Sequence, residues 1–156
     1  MRIVDALSLK AICIDIKAVN KEQVLEELVD LLILGGGLKK NDKMEVLNKI
    51  KDRESLGSTG IGKGIGIPHT KNGCVKKMCA AVGVSKKGID FKSLDGEPTF
   101  IFFILIAPNE EPGQHLKTLA KVSRLLDDRF VRERLRTAKT AQDVSNVLEE
   151  EERKIV

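Results

Sequence analysis

The segment 99–107, TFIFFILIA, constrains the fold more than any other stretch of the chain. A strand with one wet face alternates apolar and polar side chains; a strand that is apolar on both faces has to be covered on both. The segment therefore predicts a central strand in a sheet with helices on each side. The surrounding pattern agrees. The segment 79–85 is a second strand candidate, and 9–16 (LKAICIDI) shows strand-like alternation. Asn20 predicts a helix N-cap with Gln23 in the capping-box position, and Val24, Leu25, Leu28, Leu31 and Leu32 fall on one helical face. Gly35, Gly36 and Gly37 end that helix. Asn41 and Asp42 open a second helix through Met44, Leu47 and Ile50 into Arg53 and Glu54, and Gln114 and His115 begin another. Two shorter helices are predicted, one after Asp128 and one capped by Thr140 with Asp143 three residues on. The tail, 149–156, is expected to fray. No repeat, linker or change of composition interrupts the chain. The reading is one α/β domain over residues 1–150, with a mixed, mostly parallel central sheet flanked by helices on both faces, and 151–156 as a tail.

Composition narrows the function classes. At 156 residues, 42% hydrophobic and 32% charged, the chain can bury a substantial core and resembles ordinary globular domains. Its three cysteines, Cys13, Cys74 and Cys79, are odd in number and contain no CxxC pair, which suits a reducing compartment. The start lacks the apolar core of a signal peptide and no span approaches membrane length, so a cytoplasmic location is expected. The net charge of +4 raises the question of nucleic acid. Basic and acidic residues alternate along the polar stretches, as on solvated helix faces, and the 3% aromatic content is all Phe, with no Trp or Tyr to stack on bases. The expected partners do not include nucleic acid.

Residues 57–71, GSTGIGKGIGIPHTK, offer two candidate chemistries. One is a phosphate-gripping loop ending at Lys63. That motif needs Ser or Thr directly after its lysine to ligate magnesium, and Gly64 stands there. It also needs a strand before it and a helix after it, whereas a polar-faced helix precedes Gly57 and Gly64, Gly66 and Pro68 follow. The dinucleotide fingerprint fails as well, since neither Gly60 nor Gly62 has a glycine five positions later. The second candidate is His69, one of two histidines in the chain, displayed by an extended run whose backbone Pro68 fixes. Neutral imidazole is a competent nucleophile toward phosphorus. A metal site of His69, Cys74 and Cys79 has a spacing that matches no ordinary zinc pattern and supplies three ligands, so no metal or other cofactor is expected.

The run from Arg53 to Gly60 (RESLGSTG), continued by 64–69 (GIGIPH), resembles the signature of enzyme IIA of the fructose/mannitol family. That family belongs to the bacterial phosphoenolpyruvate:sugar phosphotransferase system and includes the nitrogen-regulatory IIA proteins. The likeness continues through 95–98 (DGEP), Ala107 and Pro108, and 115–119 (HLKTL), and so covers essentially the whole chain. It implies a phosphoryl relay: the phosphocarrier HPr donates to Nε2 of His69, and the group passes to a cysteine of a IIB partner. It further implies that Arg53 and His115 stabilise the phosphoryl group in flight. A chain of this length has no room for a IIB domain, so that partner is expected on a separate chain. The runner-up is a nitrogen-type regulatory protein that binds targets according to its phosphorylation state; a purely interacting module without chemistry stands behind both. Two positions depart from the family: Gly66, where alanine is usual, and Thr70, where a small residue is usual, the latter expected to set a branched side chain directly beside His69.

Overall fold

A computed structural model describes residues 2–110 and 112–155, with the Pro112 side chain left aside. The strands are β1 (Leu7–Cys13), β2 (Gly60–Gly62), β3 (Ile65–Gly66), β4 (His69–Lys71), β5 (Cys79–Ile89) and β6 (Thr99–Ala107). The helices are α1 (Lys21–Leu34), α2 (Lys43–Ser55), α3 (Pro112–Leu126), α4 (Arg129–Arg136) and α5 (Ala141–Arg153). The sheet runs β1-β5-β6-β3-β2, with β4 also beside β6. As the apolar pattern requires, β6 is its interior strand: β5 covers one edge, while β3 and then β4 follow the other. Every residue of β6 is buried except the partly exposed Phe100. Helices cover both faces, α1 packing on α2 and the remaining three on one another.

Three of the five strand pairings are parallel, β1 with β5 and both β3 and β4 with β6. The longest, β5 with β6, is antiparallel, pairing Cys79 with Ile106 through to Ile89 with Thr99. β5 also runs four residues beyond the predicted 79–85, because its pairing with β6 resumes at Ile89 after an irregularity beyond Val84.

Local signals account for most helix ends. Asn20 accepts from the Gln23 amide, and Thr140 and Asp143 form a reciprocal capping box. α3 begins at Pro112, two residues before the expected start, because a first-turn proline needs no N–H. The tail departs further from expectation. α5 stays helical through Arg153 instead of fraying from 149, because buried Glu152 accepts from the Ile3 amide at 2.7 and 2.9 Å and from Lys121 at 2.8 Å. These bonds tie the last helix to the first residues of the fold.

Gly66 has a packing reason. The rings of Phe91 and Phe102 meet edge to face at 5.1 Å, and a Cβ at position 66 would lie 3.2 Å from Phe102 and 3.3 Å from Phe91. Alanine there requires the ring pair to shift by a few tenths of an ångström.

Candidate functional site

The glycine-rich stretch folds as a hairpin followed by a strand. Gly62 pairs with Ile65, and the two residues between them, Lys63 and Gly64, have φ of 58° and 79°. Two successive left-handed residues make the tight turn whose twist matches its flanking strands. The local amides are bonded within the fold: Lys63 N donates to Asp95 at 3.1 Å and Gly60 N to the Ser58 hydroxyl at 3.0 Å. No helix follows Lys63, whose ammonium pairs with Asp127. The loop is not a phosphate cradle.

The chain then runs along β6. The Ile67 amide donates to Thr59 O at 3.0 Å, and the Leu105 amide donates to Pro68 O at 3.0 Å, so the backbone is fixed just before His69, which pairs opposite Leu105. The half-buried ring of His69 is fixed too, its Nδ1 lying 2.8 Å from the Ile67 carbonyl oxygen. A carbonyl only accepts, so this contact assigns the proton to Nδ1 and the lone pair to Nε2. Burial lowers the proton affinity of His69 below the ordinary histidine value; the Ile67 carbonyl opposes this and the Arg53 charge adds to it. The ring is thus oriented and favoured in its neutral form, with a lone pair at Nε2. Strand alternation directs the Thr70 side chain to the face opposite His69, contrary to the expected placement beside it, and its hydroxyl donates to the Lys71 carbonyl at 3.4 Å.

His115, in the first turn of α3, is 3% exposed and its ring centroid lies 5.6 Å from that of His69, edge to face. Burial pushes its pKa down to about 4, helped by His69 and Lys71. Its Nδ1 is buried without a hydrogen-bond partner among the described residues. Such an atom is costly to keep dry, and atoms of this kind gather at sites of chemistry. The shift has a consequence for folding. Below about pH 6.5 the unfolded chain protonates this histidine while the folded chain resists until about pH 4, so stability falls as pH falls through that window. His115→Gln is expected to flatten the acid slope of the melting temperature between those values; a variant with the native slope would exclude His115 as its source.

Arg53 closes the group from the end of α2. Its Nη1 donates to Gly57 O at 2.8 Å, and its other N–H groups make no hydrogen bond to described residues. One edge of the guanidinium therefore steadies the loop while the rest stays available, close enough for its charge to act on His69. The three residues singled out in the sequence, His69, Arg53 and His115, come from a strand and two helices far apart in the chain and converge.

One supporting residue had no signal of its own. Glu54 is 8% exposed and accepts from the amide and hydroxyl of Thr59 and, at 2.9 Å, from Lys21. It clamps α2, α1 and the start of the glycine stretch together, although in sequence it reads as one more charge in a polar helix end. Glu54→Ala strands the Thr59 amide and a largely buried ammonium, and is expected to cost about 3 kcal/mol in denaturant unfolding. A loss below about 0.5 kcal/mol, the surface-residue range, would show that the clamp carries no weight. The cysteines do not join the site. Cys74 lies instead with Asp42 and Glu45, their ligand atoms within 4.8 Å of one another, and burial pushes the Cys79 thiol up to about 12.

An oriented histidine, a second, buried histidine beside it and an arginine on such a sheet invite comparison with known proteins. The family described as "Phosphoenolpyruvate-dependent sugar phosphotransferase system, EIIA 2" matches residues 6–151. The chain belongs to this EIIA 2 family. Among EIIA 2 relatives, it is 35% identical over 153 residues to the fructose-specific EIIABC component of the phosphotransferase system of Bacillus subtilis. That match covers 98% of this chain and 24% of the Bacillus protein's length. It is 34% identical over 148 residues to a nitrogen regulatory protein of Bradyrhizobium diazoefficiens, covering 95% of each. The fold is similar to the crystal structure of the nitrogen regulatory protein IIA-Ntr of Neisseria meningitidis, with a TM-score of 0.85 at 31% identity, over 92% of this chain and 97% of that one. No helix of the described residues is long and apolar enough to cross a membrane.

Proposed function

We propose that this EIIA domain is a phosphohistidine relay, with His69 as the residue that carries the phosphoryl group. The observation that carries the reading is the bond between Nδ1 and the Ile67 carbonyl, which leaves Nε2 as the nucleophilic atom of a neutral ring. The donor is the phosphohistidine of HPr. Its phosphorus–nitrogen bond breaks as the Nε2 lone pair of His69 forms a new one, and the electron pair returns to the donor ring. The positive charge that develops on the His69 ring is stabilised by the Nδ1–H bond to the carbonyl. Such transfers pass through a loose, metaphosphate-like state with charge spread over three oxygens, so the work of the protein is positioning and charge balance. Arg53 supplies a planar fork for two of those oxygens, and His115 adds a ring edge at the start of a helix whose dipole favours an anion. A IIB cysteine then takes the group. Leu56, 85% exposed beside the end of α2, and Leu116, 66% exposed next to His115, fit a face that partner proteins cover in turn.

Incubating the chain with phosphoenolpyruvate, enzyme I and HPr is expected to place one acid-labile phosphate on it, and none when HPr is omitted. A folded chain that takes up no label under these conditions would end the relay reading in favour of a binding module. A regulatory role has its own support, in the end-to-end match to the Bradyrhizobium nitrogen regulatory protein. In that case the same phosphohistidine sets which targets the domain binds. Transfer of label onward to a IIB cysteine favours sugar uptake; label that stays on the chain and changes its binding favours regulation.

A further inference from the structure

We propose that the cavity between α4 and the β2–β3 turn binds a small ligand carrying two or more linked phosphate groups. It encloses about 530 Å³ and is lined by five cations, Lys63, Lys86, Arg129, Arg132 and Arg136, against one carboxylate, Glu133. The chain as a whole has a formal net charge of only +4, so the excess that looks evenly spread along the sequence converges here. A solvated surface normally intersperses the two signs; crowding one sign around a concavity raises the local potential for a counter-ion.

Three of the cations, Lys86, Arg132 and Arg136, are held by neutral groups. Among the described residues Lys63 is the cation of this group that forms an ion pair, with Asp127, whose carboxylate also feels the charge of Arg132. Lys86 donates to the carbonyls of Arg136 at 3.1 Å and Ala138 at 3.5 Å, and Arg132 to those of Leu126 at 3.1 Å and Asp127 at 2.6 Å. The Arg136 guanidinium lies 3.7 Å from the centroid of the Phe100 ring, and Arg129 makes no ion pair among the described residues. Neutral carbonyls and a ring face orient Lys86, Arg132 and Arg136 and leave most of their charge for a ligand, while exposed Arg129 is unengaged by any described carboxylate. At the floor, Ser85 is 5% exposed and its hydroxyl accepts from the Gly88 amide at 3.1 Å, which leaves its proton to donate.

Geometry favours linked phosphates over a single one. Arg129, Arg132 and Arg136 share one face of α4, and the rise from the first to the last is about 10 Å at 1.5 Å per residue. That span, and the volume, exceed what one phosphate fills. The helix N-terminus takes no part, because Asp128 already accepts from the amides of Phe130 and Val131. The cavity is also separate from His69. Phe100, under Arg136, and Leu105, opposite His69, are five residues apart on β6, about 17 Å along the strand. Because side chains rather than a glycine cradle form it, magnesium is not required.

The test is calorimetric titration of the full chain, with a chelator present, using inorganic tripolyphosphate, orthophosphate, ATP and a single-stranded RNA 12-mer. Tripolyphosphate is expected to bind at least about tenfold more tightly than orthophosphate, and Arg129→Gln to weaken it about tenfold, the worth of one charge-assisted bond. His69→Ala is expected to leave it unchanged. ATP binding more tightly than tripolyphosphate identifies a nucleotide as the source of the phosphates; equal binding identifies the polyphosphate group itself. Arg136→Gln also removes the contact with Phe100, so its melting curve is taken alongside and Arg129→Gln, which touches no ring, carries the decision. Equal affinity for tripolyphosphate and orthophosphate, native affinity in Arg129→Gln, or tighter binding of the RNA lost in the same variant would each overturn the assignment.

Discussion

Replacing His69 with alanine is expected to abolish phosphorylation of the chain by phospho-HPr while leaving the fold intact. The ring is half-buried and its polar contact within the protein is the bond from Nδ1 to the Ile67 carbonyl, so its removal frees a carbonyl near the surface and opens no core cavity. A stability change within about 1 kcal/mol is expected, against a complete loss of label, because the other imidazole of the site, His115, is 3% exposed and shielded from a donor. The position of attachment is a sharper form of the same expectation. With Nδ1 occupied, the phosphoryl group forms on Nε2, and the nitrogen chemical shifts of the phosphorylated ring distinguish the two isomers. Label persisting in His69→Ala, found on His115, or attached to Nδ1 would each defeat it.

Arg53→Ala is expected to slow transfer about a hundredfold with little effect on docking of HPr. Losing one preorganised donor to a developing oxyanion raises barriers by roughly 3 kcal/mol in comparable sites. Arg53 also bonds Gly57 O, so a loosened loop is a second source of loss. Arg53→Lys separates the two contributions: an ammonium can still reach a carbonyl but cannot span two phosphoryl oxygens. Recovery of less than a tenth of the native rate by the lysine form, in single-turnover transfer with melting curves as control, assigns the effect to the fork. A folded Arg53→Ala protein that transfers at the native rate would remove Arg53 from the chemistry.

The parts of this fold that were legible in the sequence are those encoded by neighbouring residues. TFIFFILIA requires cover on both faces and is the interior strand; Asn20 and Thr140 cap helices because their side chains reach amides three residues away. The rejection of a phosphate loop was legible for the same reason, since Gly64 and Pro68 forbid the helix that such a loop feeds. What escaped depends on residues distant in the chain. Nothing near Glu152 announces that its carboxylate caps the Ile3 amide, so the end of α5 read as a charged tail. Glu54 looked like a solvated charge until Thr59 and Lys21 closed around it. The direction of β5 against β6 and the convergence of cations beside α4 are likewise properties of the assembled sheet, and local spacing carries no trace of either. Thr70 is next to His69 in sequence but on the other side of the strand, because successive side chains of a strand point to opposite faces.

His69 sits in a strand clamped to the middle of the sheet, not on a swinging arm, and its ring is tethered at one nitrogen. A carrier built this way cannot carry its cargo from one partner to another by moving. On the relay reading, both partners have to come to it, present their reacting atoms along one line to the same nitrogen, and leave before the other arrives. The two exchanges are then separated in time by a single shared doorway, and an excess of empty acceptor blocks loading just as an excess of donor blocks unloading. Throughput in such a relay is set by how quickly each visitor departs, which rewards weak, brief docking and gives the cell a means of control through nothing more than the relative abundance of the two partners.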